Sequence, residues 1–444
     1  MGVILFGTII WGIGMAISIK CNQPFYKAAP CGLLIIVSLL FFGSFLIRLQ
    51  LLFWGISGLG LLCLGFVLLE HKKATVLIDE SVLFFLITII YFAVVLNGRK
   101  LNLTDEFSYW GTAAKNMYFT NHLPTIYDSI GNLRDYIPGC ALLQYFVLKL
   151  NLHYEESVLF QTITVFIITM LLPFYDSIST VKSKKTNILI GVIILIIPMV
   201  YNYAYTEIII DTALGAIFGY IVITYLMGRK NLPGYFEKFC AVLGSVAITT
   251  FKASGIGFIL IICIVMFTLS VYSIIKRYIN YGEFVKEIFS VGAIFTSSLL
   301  AKFGWKYYME INQITVYTTG GITREQLMCS VMEGINLEQW TKIKMILKLF
   351  FYPAPSLNIC SLSYVGWFLF LAVIVFLTLR YCYKQNISEV VIIQAGFAIG
   401  ALLYLIYLIG LYVYAWPWYP NNGSFYKYYN TYLLGYLIIL IYLL

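Results

Sequence analysis

The chain carries only twenty acidic residues in 444, so where they fall is informative. Asp105 and Glu106 are adjacent and flanked by aromatics, in Leu103-Thr104-Asp105-Glu106-Phe107-Ser108-Tyr109-Trp110. A carboxyl group beside apolar rings tends to hold its proton to higher pH and can then serve as a general base. The plainer reading is an interfacial acidic pair at a helix end. Glu207 and Asp211 form a second pair, and a spacing of four places both on one helix face. Carboxylates at a membrane boundary are costly and point to function, although a helix N-terminus also attracts them. Lys252 interrupts two apolar runs, where it would hold a phosphate as a point charge or simply snorkel to the surface. Arg134 and Tyr136, on either side of Asp135, are candidates for positioning a substrate, against the alternative of a surface ion pair at Arg134–Asp135.

These residues sit in a chain that is 61% hydrophobic and 11% charged, where a soluble domain carries about 25% charged residues. Residues 253–275, 349–379, 390–426 and 428–444 contain no charge at all. Runs of this length suit transmembrane helices, because the backbone must pair internally in lipid. The sequence lacks the alternation of a β-barrel strand. The expected fold is all-α and integral to the membrane, with about thirteen transmembrane helices at 2–18, 31–47, 51–69, 82–98, 157–175, 187–204, 208–227, 237–251, 254–275, 286–302, 362–381, 389–413 and 428–444. Met1-Gly2-Val3-Ile4-Leu5 has no basic n-region, so the first span is expected to be retained.

Basic residues recur in alternate loops: Lys20 and Lys27; His71, Lys72 and Lys73; Lys182, Lys184 and Lys185; Arg229, Lys230 and Lys238; Lys276 and Arg277; Arg380 and Lys384. By the positive-inside rule all six loops face the cytoplasm if the N-terminus is outside, which puts the C-terminus inside, in a multi-pass protein of the plasma membrane. The organisation is then a four-helix segment at 1–98, a long outer loop at 99–156 with the first acids, a central bundle at 157–302, a second outer loop at 303–361 and closing helices at 362–444. Loops of this length are usually functional. In the second, the amphipathic stretch Gln339–Phe351 with Lys342, Lys344 and Lys348 is suited to the interface plane.

Other chemistries find little footing. The nine cysteines form no CxxC pair and there are three histidines, which argues against zinc or a disulfide framework. No basic block resembles a nucleic-acid patch, and neither a GxxxxGK[ST] loop nor a strand-linked GxGxxG is present. The 36 tyrosines, dense at 412–429, suit an interfacial belt or a sugar- or polyprenyl-binding surface.

Acids in the first two outer loops followed by a cation in the third resemble the GT-C class of integral-membrane glycosyltransferases, over about residues 82–260. Tyr136-Ile137-Pro138-Gly139 resembles the Tyr-Pro-Pro pattern of such loops, and Asp105-Glu106-Phe107-Ser108-Tyr109-Trp110-Gly111 resembles membrane proteins of Gram-positive surface-polysaccharide loci. The resemblance implies a GT-C-like fold and inverting transfer of a sugar from a polyprenyl-phosphate donor to a cell-surface glycan or lipid-linked acceptor. Asp105 or Glu106 would be the base and Glu207 or Asp211 the second acid. Lys252, Arg134 and Tyr136 would bind the donor; no cofactor is assigned, a divalent cation (Mg or Mn) being an alternative to Lys252 or Arg134 at the leaving phosphate. In that class the first carboxylate follows the first span; here it follows the fourth, which requires three additional helices. The competing readings are a lipid-linked repeat-unit polymerase, which would rely on outer arginines, and a lipid-sugar flippase or transporter, which would line mid-bundle with charge.

Overall fold

The computed structural model describes residues 1–70, 72–73, 78–125, 134–176, 184–200, 204–208, 210–230, 234–314, 334–352, 363–381, 387–415, 420 and 422–443. Among these it is all helical. The helices are α1 (Gly2–Cys21), α2 (Phe25–Gly43), α3 (Leu49–Leu69), α4 (Glu80–Val95), α5 (Gly111–Thr120), α6 (Gly139–Leu150), α7 (Ser157–Leu171), α8 (Lys184–Ile196), α9 (Asp211–Lys230), α10 (Tyr235–Phe251), α11 (Gly255–Ile275), α12 (Tyr281–Ile311), α13 (Leu337–Phe351), α14 (Tyr364–Tyr381), α15 (Ile387–Gly410) and α16 (Asn422–Leu443). One π-turn, Glu106–Trp110, leads into α5.

Each of the thirteen expected spans overlaps a helix among the described residues. Eight of these, by length and composition, can cross a membrane: α1, α2, α3, α7 with its 3-10 extension to Asp176, α9, α11, α12, and α15 continued to Tyr414. The protein is therefore a membrane protein. His71, Lys182, Lys384 and residues 416–419 lie outside the described residues.

Two expectations need correction. Segment 99–156 is not simply a loop with interfacial helices. Its α6 is buried from Gly139 to Leu148. Twelve residues span about 18 Å, too short to cross. Gly139 abuts Thr250 at the end of α10, and Gly2 abuts Asn151 just past α6, where Gly2 N donates to Asn151 Oδ1 at 2.8 Å. Both ends of α6 thus meet helix termini at one end of the bundle, and α6 lies across that end. Likewise the segment from 303 does not begin as a loop. α12 runs 31 residues from an Asn280–Glu283 capping box, about 46 Å. Lys302 and Lys306 stop the hydropathy but not the helix, because Trp305 is buried and its Nε1 donates to Asp135 O at 2.9 Å.

α9 packs closely against α16. Gly215 and Gly219 stand one turn apart and face α16; a Cβ on Gly215 would lie 2.9 Å from Thr431 O. Small residues at this spacing let backbones approach, which is how membrane helices pack. Four residues before Gly215 is Asp211, and four before Thr431 is Lys427. Gly215→Val is expected to cost about 1–3 kcal/mol through overpacking, read as a lower thermal unfolding midpoint in detergent. Gly257→Val, where nothing lies within 4 Å, serves as the matched control and should leave the midpoint nearly unchanged.

Candidate functional site

Asp211 opens α9, and its side chain is almost fully buried, the residue being 2% exposed. Oδ1 accepts from Lys252 Nζ at 2.8 Å and from Thr431 Oγ1 at 3.2 Å. Oδ2 lies 3.9 Å from Lys427 Nζ and accepts no hydrogen bond among the described residues. Lys427 turns its ammonium to Asp105 as well. The result is a chain of alternating charge, Asp105–Lys427–Asp211–Lys252, drawn from four separate stretches of sequence. Asp105 is its exposed end. Lys252 Nζ also sits 4.4 Å from the centroid of the Tyr428 ring, a cation–π contact.

The structure separates Asp105 from its neighbour. Glu106 is fully buried. Its Oε2 accepts from Asn102 N at 2.8 Å and Leu103 N at 3.1 Å, and its Oε1 accepts from Ile208 N at 3.1 Å. Its two oxygens accept from three backbone N–H groups, so Glu106 is a clasp between the two acid-bearing segments. Arg99 reinforces that clasp: its guanidinium donates to Thr206 O at 2.9 Å and stacks over Phe160.

Glu207 and Asp211 do not share a helix face, as their spacing led us to expect. α9 begins at Asp211, and Glu207 belongs to the non-helical segment before it. Half-buried, its carboxyl has no hydrogen-bond or ion-pair partner among the described residues. Burial, reinforced by the nearby Glu106 and Asp105, pushes its pKa up to about 7, against the pull of Lys427 and Arg99.

Tyr136 is half-buried in the turn before α6, stacked on Trp110 at 5.7 Å and edge-on to Tyr109, whose hydroxyl donates to Tyr136 O at 2.8 Å. Burial raises the Tyr136 pKa, with Tyr428 adding to the rise and Lys252 opposing it, so this ring borders the charge chain. Arg134 is half-buried in the same turn. No group of three His, Cys, Asp or Glu able to hold a metal ion occurs among the described residues. The acids alternate with lysines instead, an arrangement that does not fit a divalent cation.

Lys427 is the member of this charge cluster that sequence reasoning missed. It had the same signal as Lys252, a lone charge between the uncharged runs 390–426 and 428–444, but stood inside the aromatic string Phe425-Tyr426-Lys427-Tyr428-Tyr429.

Also missed were buried charges at the opposite end of the bundle, where the basic loops had seemed merely solvated. Lys27 bridges Glu237 at 3.0 Å and Asp176 at 3.5 Å. Lys238 pairs with Glu287 at 2.7 Å, and Arg229 with Glu389 at 3.3 Å.

Comparison with known proteins returned no matching family model, no matching curated protein and no matching solved structure.

Glu207 carries a linkage consequence. Its folded pKa lies above the ordinary 4.5, so the folded state holds this proton where the unfolded state has lost it. Its contribution to stability therefore falls as pH rises from about 4.5 to about 7. Glu207→Gln is expected to raise the unfolding midpoint relative to the parent at pH 8 and to leave it unchanged at pH 4, as measured by paired thermal melts.

Proposed function

We propose that the protein is a membrane glycosyltransferase. In this reading it moves a sugar from a polyprenyl-phosphate donor to a hydroxyl of a cell-surface glycan or lipid-linked acceptor, with inversion, on the outer face of the plasma membrane. The observation that carries the reading is one carboxyl, Glu207, with no hydrogen-bond or ion-pair partner among the described residues and a pKa of about 7, near Lys427, one of two lysines held by one buried aspartate. The thirteen-span, GT-C-like topology with the N-terminus outside and the C-terminus inside is part of the same proposal.

The base is assigned to Glu207 because the other three acids are committed. Glu106 is bonded to backbone, and Asp105 and Asp211 are tied to lysines. A carboxyl titrating near working pH is well matched to general-base catalysis. The acceptor oxygen forms its bond to the anomeric carbon as its proton passes to Glu207. The bond from that carbon to the lipid-phosphate oxygen breaks, and the phosphate leaves with the electron pair. Lys252 and Lys427 meet that developing charge. Asp211 positions both ammoniums, and Asp105, the exposed end of the chain, is the partner a phosphate oxygen replaces on Lys427. Tyr136 and Trp110 supply an aromatic face beside the reacting groups.

The test is transfer from a labelled polyprenyl-phosphate sugar by purified protein. Glu207→Gln should lower the rate by about 10²–10⁴-fold. The parent rate should climb with pH to a plateau above about 7, because the base works deprotonated, and the variant should lose that dependence. Lys252→Met and Lys427→Met should each slow turnover. Parental rates in all three variants would overturn the assignment. Movement of the lipid-linked sugar across sealed vesicles without transfer would favour a flippase.

A further inference from the structure

Helix α13 has two faces, and only one is used by the rest of the chain. Ile346 and Lys342 are buried against the bundle, and Phe350 packs against Tyr364, Phe425 and Tyr429. Tyr364 is the first residue of α14, and Phe425 and Tyr429 lie in the opening turns of α16. α13 therefore lies alongside the ends of apolar helices, at the level where a bilayer's hydrocarbon gives way to headgroups. Its start is fixed by a capping box between Asn336 and Gln339. Near its other end, Tyr426 OH donates to Leu349 O at 2.7 Å and Tyr352 O at 2.9 Å. The residue after Tyr426 is Lys427, so α13 is tied to the lysine of the candidate site.

The other face is exposed and of mixed character. Trp340, Leu347 and Phe351 are 49%, 50% and 69% exposed. Lys344 and Lys348 are exposed next to them. Spacings of three, four and seven residues place all five on one side of the helix. Neither lysine has an ion-pair partner among the described residues, whereas Lys342, on the buried side, pairs with Glu338 at 3.2 Å. Large apolar side chains beside unpaired lysines, on a helix at membrane level, are the composition that inserts its apolar part beneath the headgroups and holds anionic ones.

We propose that this face of α13 is a docking surface for anionic phospholipid headgroups, with Lys344 and Lys348 on the phosphates and Trp340, Leu347 and Phe351 among the upper acyl chains. Charge complementarity selects the occupant: two lysines with no ion-pair partner among the described residues, one of them 6.0 Å from the centroid of the Trp340 ring, fit an anionic lipid better than a neutral lipid or a free anion. The surface does not depend on the glycosyl-transfer reading, since it requires no reaction.

The test uses the full-length protein in nanodiscs of neutral lipid with increasing fractions of an anionic phospholipid. The lipids are brominated at the upper acyl positions, and the fluorescence quenching that Trp340→Phe removes is recorded. That component should grow with the anionic fraction. Lys344→Gln and Lys348→Gln should each raise the anionic fraction needed for half-maximal quenching by about fivefold. Lys306→Gln, at an exposed lysine on α12 that pairs with Glu310, should not. Equal quenching in neutral and anionic discs would overturn the proposal, as would no effect of either lysine variant. So would competition by inorganic phosphate at constant ionic strength, which would make the site one for a free anion.

Discussion

A single buried carboxylate organises one end of this bundle. Asp211 starts α9, yet the groups that satisfy it come from the end of α10 and from α16. A buried charge without partners is costly, and pairing offsets that cost only when geometry is good. The ion pairs therefore demand that three helices meet at one level. Gly215 and Gly219 make the meeting possible by letting α16 approach α9. Packing and charge are the same constraint seen from two sides: the glycines close the gap, and Asp211 with Lys427 and Lys252 needs it closed.

Around this point the two acid-bearing segments share the ion pairs of Lys427 and are also tied by side chain to backbone. Glu106 reaches from the first segment to Ile208 N, and Arg99 reaches to Thr206 O. Between these two ties lies Glu207, whose carboxyl has no hydrogen-bond or ion-pair partner among the described residues. Its raised pKa follows from burial, with the neighbouring Glu106 carboxylate adding to the rise. A site that leaves one acid unpaired among bonded ones keeps that acid available.

Much of this was legible in the sequence, and the failures have identifiable causes. Long uncharged runs read directly as helices, because apolar length is what a membrane requires. Asp105, Asp211 and Lys252 stood out because charges are rare here, and all three belong to one cluster. Glu106 was read together with Asp105 because adjacency says nothing of direction; one side chain points inward to backbone and the other outward. Glu207 and Asp211 were placed on one helix because spacing does not reveal where a helix begins. Helix α6 went unseen, since Gln144 and Lys149 and its short length hid an element that the surrounding helices bury. The buried ion pairs of the opposite end were invisible, because a charged residue near a loop reads as solvated until its partners, far away in sequence, are known.

At that opposite end Glu237 and Lys238 are consecutive residues of α10, yet they serve different partners: Glu237 meets Lys27 of α2, and Lys238 meets Glu287 of α12. Turning α10 by one residue swings each side chain by about 100° and breaks both bridges together. α10 is thus keyed like a bolt with two pins. Lys252, at its far tip, takes its place in the charge cluster from a register set on the other side of the bundle.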